Sequence, residues 1–469
     1  MKHILTTIAI FFFVISASGQ KQANIWYFGD HAGLDFNYDP PTPLLDGQTD
    51  FPPPNEWNEG CSSISDSSGS LLFYTNGMKI WNRLQQVMPN GSNLMGHSSS
   101  TESSIIVPQP NSQEYFYVFT TDASEDNFQN GLRYSVVDMC LDNSNGDVIP
   151  SLKNILLTDT VAEKLIAVRH SNGTDYWIVT HKFNSDAFYS FRLTSNGVVD
   201  TIISHTGTTD PQGWGGQMIA SPNGQKIAYA IPSAESFGKT LLLSFDASTG
   251  VVSNEQTLST GGREWGVSFS PDNSKLYFST AGFGQLFQYN LNEGDLEAII
   301  ASKTFIISNG PDSWRHHQLG PDGKIYISRT MIKHLSLIEF PDSLCPACNY
   351  IDSAIYLGGK NTSFGLPNFV ANFSYSNTIT QCHTGIDQIG ITELSINVYP
   401  SPANQAVQIE LPKNLHFNLT IVDVTGKLVY SVEKTSNLLE VNCSTFCSGL
   451  YFIKATNDKS CLTGKFVKE

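Results

Sequence analysis

The chain has 469 residues, more than one ordinary domain holds, and its 40% hydrophobic and 11% aromatic content excludes disorder for most of it. Asp, Glu, Lys and Arg together reach 15%, against ~25% in an average globular protein, so the surface is polar without being highly charged. With 27 Lys plus Arg against 43 Asp plus Glu the formal charge is −16, which repels phosphate backbones and anionic headgroups and argues against nucleic acid and membrane surfaces as partners.

The first element in chain order is an export signal over residues 1–19. Lys2 supplies a positive start, residues 4–15 an apolar run, and residues 16–19 (SASG) the small side chains that precede a cut between Gly19 and Gln20. A membrane helix needs about 20 apolar residues, and neither this run nor any later one reaches that length, so no transmembrane segment is expected. The exported chain matures in an oxidising compartment, where some of its eight cysteines pair. The pairing is not readable. The C-x-x-C of Cys345 and Cys348 reads first as a structural disulfide, because no second pair follows at zinc spacing.

Residues 20–375 repeat. SPNGQKIAYA, SPDNSKLYFS and GPDGKIYIS place Pro222, Pro271 and Pro321 about fifty residues apart, each in a polar turn that opens an aromatic and β-branched run. A second series of turns with Gly146, Gly197, Gly250 and Gly294 runs in phase, so each period holds two hairpins and hence about four strands. This is the signature of a β-propeller, whose blades hide their faces only against neighbours in a closed ring. Innermost strands are expected near residues 60–66, 103–108, 164–170, 217–221, 264–270 and 315–320. A seventh blade is expected to combine residues 24–37 with residues 364–375; seven blades are favoured over six. The SPDG and PDGKIY turns resemble those of WD-like and TolB-like propellers, and the whole is similar to large exported propeller proteins of Bacteroidota. That resemblance implies the fold and carries no chemistry with it.

Residues 376–394 read as a polar linker and residues 395–469 as a small β-sandwich of short alternating strands. Its Pro400-Ser401-Pro402 turn, the IVDVTGK turn with Gly426 and Lys427, the SGLYFIK strand with Gly449 and Tyr451, and the basic end with Lys465 resemble the type A C-terminal sorting domain of the type IX secretion system. The resemblance implies the type IX machinery as a partner and delivery to the cell surface or the medium.

Catalytic strings such as G-x-S-x-G, H-E-x-x-H and the phosphate-binding G-x-x-x-x-G-K-[ST] do not occur. A site, if built, belongs at the channel mouth, where Arg263, Glu264, Trp265, Arg315 and His316 stand at the starts of inner strands. Trp57 and Trp214, in glycine-containing loops, are candidates for stacking on sugar rings. No metal or cofactor is expected, and neither is self-association. The expectation is therefore a secreted, monomeric binding module for a glycan or protein. The alternatives are a hydrolase or lyase at the channel mouth, or a structural or adhesion component.

Overall fold

The computed structural model describes residues 21–49, 58–207, 209, 213–233, 238–281, 284–308, 310, 316–372, 396–411, 417–434, 438–456 and 461–469. The expected signal with its cut at Gly19 and Gln20, the linker over 376–394, Trp57 and Arg315 lie outside them. The chain divides between residues 384 and 385 into two compact units, and the described residues of both are almost wholly β.

Among the described residues the first unit contains seven antiparallel sheets in chain order. Their first strands are Ile25–Phe28, Ser62–Ser65, Ser104–Pro108, Ile166–Arg169, Met218–Ala220, Glu264–Phe269 and His317–Leu319. The fourth to seventh sheets have four strands each, paired in sequence order; the first two have three, and the third has five.

The repeated turns explain why each first hairpin forms. Ser221 Oγ accepts the amides of Gln225 (3.2 Å) and Lys226 (2.9 Å) around Gly224, whose positive φ of 70° suits a residue without Cβ. Ser270 Oγ does the same for Lys275 (2.8 Å). Each such turn is also tied to its neighbour: the Asn223 amide donates to Asn273 Oδ1 (2.9 Å), and the Asp272 amide to Asp342 Oδ1 (3.0 Å).

Second strands are buried on both faces, as in Tyr176–His181 and Lys275–Thr280, which is why they read as unbroken apolar runs. Outer strands are largely exposed instead, as in Gly197–His205. Between successive sheets lie separate apolar cores. Ile178 and Phe191 of the fourth meet Phe119 of the third, Trp177 meets Tyr229 of the fifth, and Tyr277 of the sixth meets Ile325 of the seventh. The seventh sheet packs Tyr326 and Leu337 against Trp26 and Phe28 of the first, so the ring is closed and the unit is a β-propeller.

The two ends of the unit meet: Leu366 and Phe369 pack with Trp26 and Phe28 of the first sheet. Residues 361–371 make single bridges with three sheets: Asn361 with Asp30, Pro367 with Cys61 and Ala371 with Val168. Pro367 has no N–H to give a ladder. The Asn368 amide donates to Cys61 O (2.8 Å) and its side chain to Leu165 O (2.7 Å), so this returning segment joins the second and fourth sheets near the axis. Gly365 lies so close to the second sheet that a Cβ would come within 1.3 Å of Glu59 O.

The second unit packs a three-stranded sheet (Asn397–Tyr399, Ala406–Glu410, Leu438–Asn442) on a four-stranded one, with Val407, Ile409 and Val441 facing Leu419, Ile421, Ile453 and Phe466. It is a β-sandwich.

Asn368→Ala removes the buried side-chain bond from the returning segment to the fourth sheet, and guanidinium unfolding should show a loss of about 1–3 kcal/mol. A loss below ~0.5 kcal/mol, the range of ordinary surface substitutions, would show that the returning segment does not hold the ring.

Candidate functional site

In the second to seventh sheets the residues just before the first strands gather at one end of the ring axis and those that end the strands at the other; the first sheet is reversed, with Gln22 and Ala23, before its strand, beside Ile64 and Phe269, and Gly29, after it, accepting from Asn58. The first strands of these six sheets therefore run in one direction along the axis, which gives the channel two chemically different ends.

The entry end is polar and closed. His316 Nε2 stands 3.4 Å from Glu102 Oε1, with both side chains 2% exposed, so the third and seventh sheets meet here. Gln217, from the fifth sheet, ties this end to the sixth and seventh. Its Oε1 accepts the amides of Val267 and His317 (3.1 Å each), and its Nε2 donates to His317 O (2.7 Å). Glu163 accepts from the Thr101 amide (3.0 Å), the Thr101 hydroxyl (2.9 Å) and the Ser124 amide (3.0 Å). Lys164 donates to Ala230 O (3.0 Å) and to the carbonyls of Gly215 and Gly216, and lies over the Tyr229 ring.

Burial sets the protonation of this cluster. It pushes the Glu163 carboxyl up to about 7, against the hydrogen bonds from Ser124 and Thr101, and pushes Glu102 upward against His316. It pulls Lys164 down to about 7, while the neighbouring carboxylates favour its ammonium form. His317 falls to about 3 and stays neutral.

The exit end is apolar. Ile64, Ile106, Ile219, Phe269 and Leu319 from five first strands, with Val370 of the returning segment, line a well of about 320 Å³. Beside it, between the fourth and fifth sheets, lies a polar hollow of about 590 Å³ that includes Arg169, His170, Gln225 and Asp246. Asn372 lines both.

Among the described residues the sequence-derived candidates do not converge on one site. Of them, His316 is on the axis. Arg263 is exposed, with its carbonyl accepting the Ala281 amide. Glu264 is buried away from the axis: Ser259 donates to it (3.1 Å), and its carboxylate crowds Gly238 and Gly262 in the fifth sheet. Trp265 is 6% exposed and packs edge-on against Trp214, which is half-buried, so neither offers an open stacking face. Sequence reasoning missed Glu59, Glu102 and Glu163. Their signal was a glutamate immediately before three successive first strands, a position usually read as solvent-facing. The C-x-x-C pair does form a disulfide, Cys345–Cys348.

In the second unit Gly426, at a positive φ of 81°, turns a hairpin in which Asp423 Oδ1 accepts the Thr425 and Lys427 amides (2.9 and 3.1 Å). The Tyr451 hydroxyl donates to Cys447 O (2.8 Å) and its ring stacks on Phe466. Lys465 is exposed opposite Phe452. Pro400 and Pro402 flank Ser401, whose hydroxyl accepts the Val467 amide (3.1 Å).

Residues 397–469 match the secretion system C-terminal sorting domain. The chain thus carries a type IX sorting domain, which directs export to the cell surface or extracellular space and implies contact with the secretion machinery. No helix among the described residues is long and apolar enough to cross a membrane. No curated protein matches the chain. Among solved structures it is similar to PorZ, an essential surface component of the type IX secretion system of Porphyromonas gingivalis, at 13% identity and a TM-score of 0.35. The match covers 93% of this chain but 62% of PorZ, so the chain spans less than two thirds of that protein. A putative 6-phosphogluconolactonase of Bacteroides uniformis matches at 13% identity and a TM-score of 0.35, over 82% of this chain and all of that one. Kuenenia stuttgartiensis hydrazine synthase matches at 13% and 0.42, over 70% of this chain and 98% of that one. Likenesses this distant carry no argument about activity.

The raised Glu163 value gives a pH dependence. Its ordinary value is 4.5 and its folded value about 7, so between these the folded state holds a proton that the unfolded chain has lost. That stabilisation is complete below pH 4.5 and is lost as the pH rises through 7. The wild type should therefore lose up to about 3 kcal/mol of unfolding free energy between pH 4.5 and 7 relative to Glu163→Gln. Parallel pH profiles of the two proteins would contradict this assignment.

Proposed function

We propose that this protein is an exported binding protein whose propeller takes a small ligand with an apolar part into the well at the exit end of the axis, while the sorting domain serves as its address. The observation that carries the reading is the well itself. Small-molecule sites are concave and mostly apolar, with volumes of ~300–1,000 Å³ and a few polar groups to set orientation. The well meets this description, with Gln22, Gln318 and Asn372 supplying the polar groups. The hydrolase or lyase reading has less support, because Glu264 is turned away from the axis and the Glu102–His316 couple is too deeply buried for a substrate to reach.

Export through two compartments is part of the same reading: the N-terminal signal over residues 1–19 takes the chain to the periplasm, and the sorting domain takes it outward. Deleting residues 396–469 should leave the propeller in the periplasm, as fractionation would show; unchanged surface or medium levels would overturn the address role.

Ala220 lines the well and is 5% exposed, so Ala220→Phe fills it from inside. A thermal-shift panel of small amphiphiles on the full chain should find compounds that raise the wild-type melting temperature and lose at least tenfold in affinity for Ala220→Phe. A panel whose stabilising compounds act equally on both proteins would remove the well as the site.

A further inference from the structure

We propose that the ligand of the axial well is a monocarboxylate, its apolar part in the well and its carboxylate on Arg169 in the adjoining hollow. The inference rests on the binding reading above and adds the chemical class of the ligand.

Arg169 ends the first strand of the fourth sheet and is half-buried. Its Nε donates to Gly173 O (2.9 Å), and Nη2 donates to the same carbonyl. The fork is thereby fixed in direction, while Nη1 and the second Nη2 hydrogen make no hydrogen bond to any described residue. No carboxylate neutralises it among the described residues. Arg192, two strands away in the same sheet, differs: Asp175 lies 2.7 Å from its Nη2. A guanidinium held rigid, partly desolvated and left without a counter-ion is suited to a planar, bidentate carboxylate.

The other groups of the hollow narrow the choice. Burial and nearby Arg192 hold His170 below its ordinary value, so its ring is neutral. His170 Nδ1 accepts the Asn172 amide (2.9 Å), which assigns the ring proton to Nε2 and makes it a further donor. Asp246 spends Oδ1 on the Ser248 hydroxyl and amide (2.6 and 2.8 Å), which hold its carboxyl below its ordinary value and keep it ionised. With an ionised Asp246 in the same hollow, each added negative charge is penalised, which favours a singly charged carboxylate over a phosphate. Asn372 borders both spaces, so one molecule can reach from the apolar wall to the guanidinium.

A free fatty acid and a peptide ending in an apolar residue share this chemistry. Calorimetry on the full chain separates them, using octanoate, 1-octanol, and Ala-Ala-Ala-Leu as free acid and as C-terminal amide. Octanoate should bind at least tenfold more tightly than octanol. Arg169→Gln should erase that difference without changing octanol affinity, and Arg169→Lys should restore part of it, each in a variant whose melting temperature matches the wild type. A free-acid peptide that binds at least tenfold better than its amide identifies a peptide C-terminus as the source; octanoate binding without peptide binding identifies a fatty acid. Equal affinity for octanoate and octanol, or an Arg169→Gln variant that weakens both alike, would overturn the carboxylate while leaving the well intact. Absence of binding by every probe to the wild type would overturn the well reading itself.

Discussion

The structure depends on one constraint: none of the seven small sheets can hide both of its faces by itself. Each presents apolar side chains in two directions, Trp177 and Ile178 being successive residues that serve different cores. Only a closed ring gives every face a partner, and the last partnership, Tyr326 and Leu337 against Trp26 and Phe28, joins residues some three hundred positions apart. Contacts so distant in sequence cost loop entropy that only the completed ring repays. The returning segment over 361–371 adds hydrogen bonds to three sheets at the place where that cost is met.

Closing the ring brings the first strands of the second to seventh sheets and the returning segment together around an axis, and the two ends solve the resulting packing problem differently. At the entry end two ionisable side chains are buried and matched with partners: Glu163 with two amides and a hydroxyl, Lys164 with three carbonyls. Such groups are costly to bury unless they are paired in this way. The exit end is lined by isoleucines, Phe269 and Leu319 and remains hollow. An end filled with buried polar groups and an end left open and apolar suit plug and pocket respectively.

Much of the frame was legible in the amino-acid sequence because the relevant signals are local. Ser221-Pro222-Asn223-Gly224 and its copies announce the hairpins through turn chemistry, and the runs that follow announce strands buried on both faces. The sorting domain was legible for the same reason, its Gly426 turn and Tyr451 strand being short ordered motifs. The site was much less legible. Which inner-strand residues face the axis depends on where each strand starts, and a shift of one residue turns a side chain to the opposite face. This is why the Glu264 carboxylate lies against Gly238 and Gly262 of the fifth sheet while Glu102 meets His316. Arg169 escaped notice because its missing counter-ion is a property of three-dimensional neighbours, whereas Arg192, similar in sequence context, has one.

Native-state amide hydrogen exchange on the full chain tests ring closure most directly. Asn368 and Ala371 donate their amides to carbonyls of the second and fourth sheets, so both should exchange only with global unfolding of the propeller, at the same protection as Val179 and Phe278 in buried second strands. Exchange of those two amides at loop-like rates, with the second strands still protected, would contradict the account.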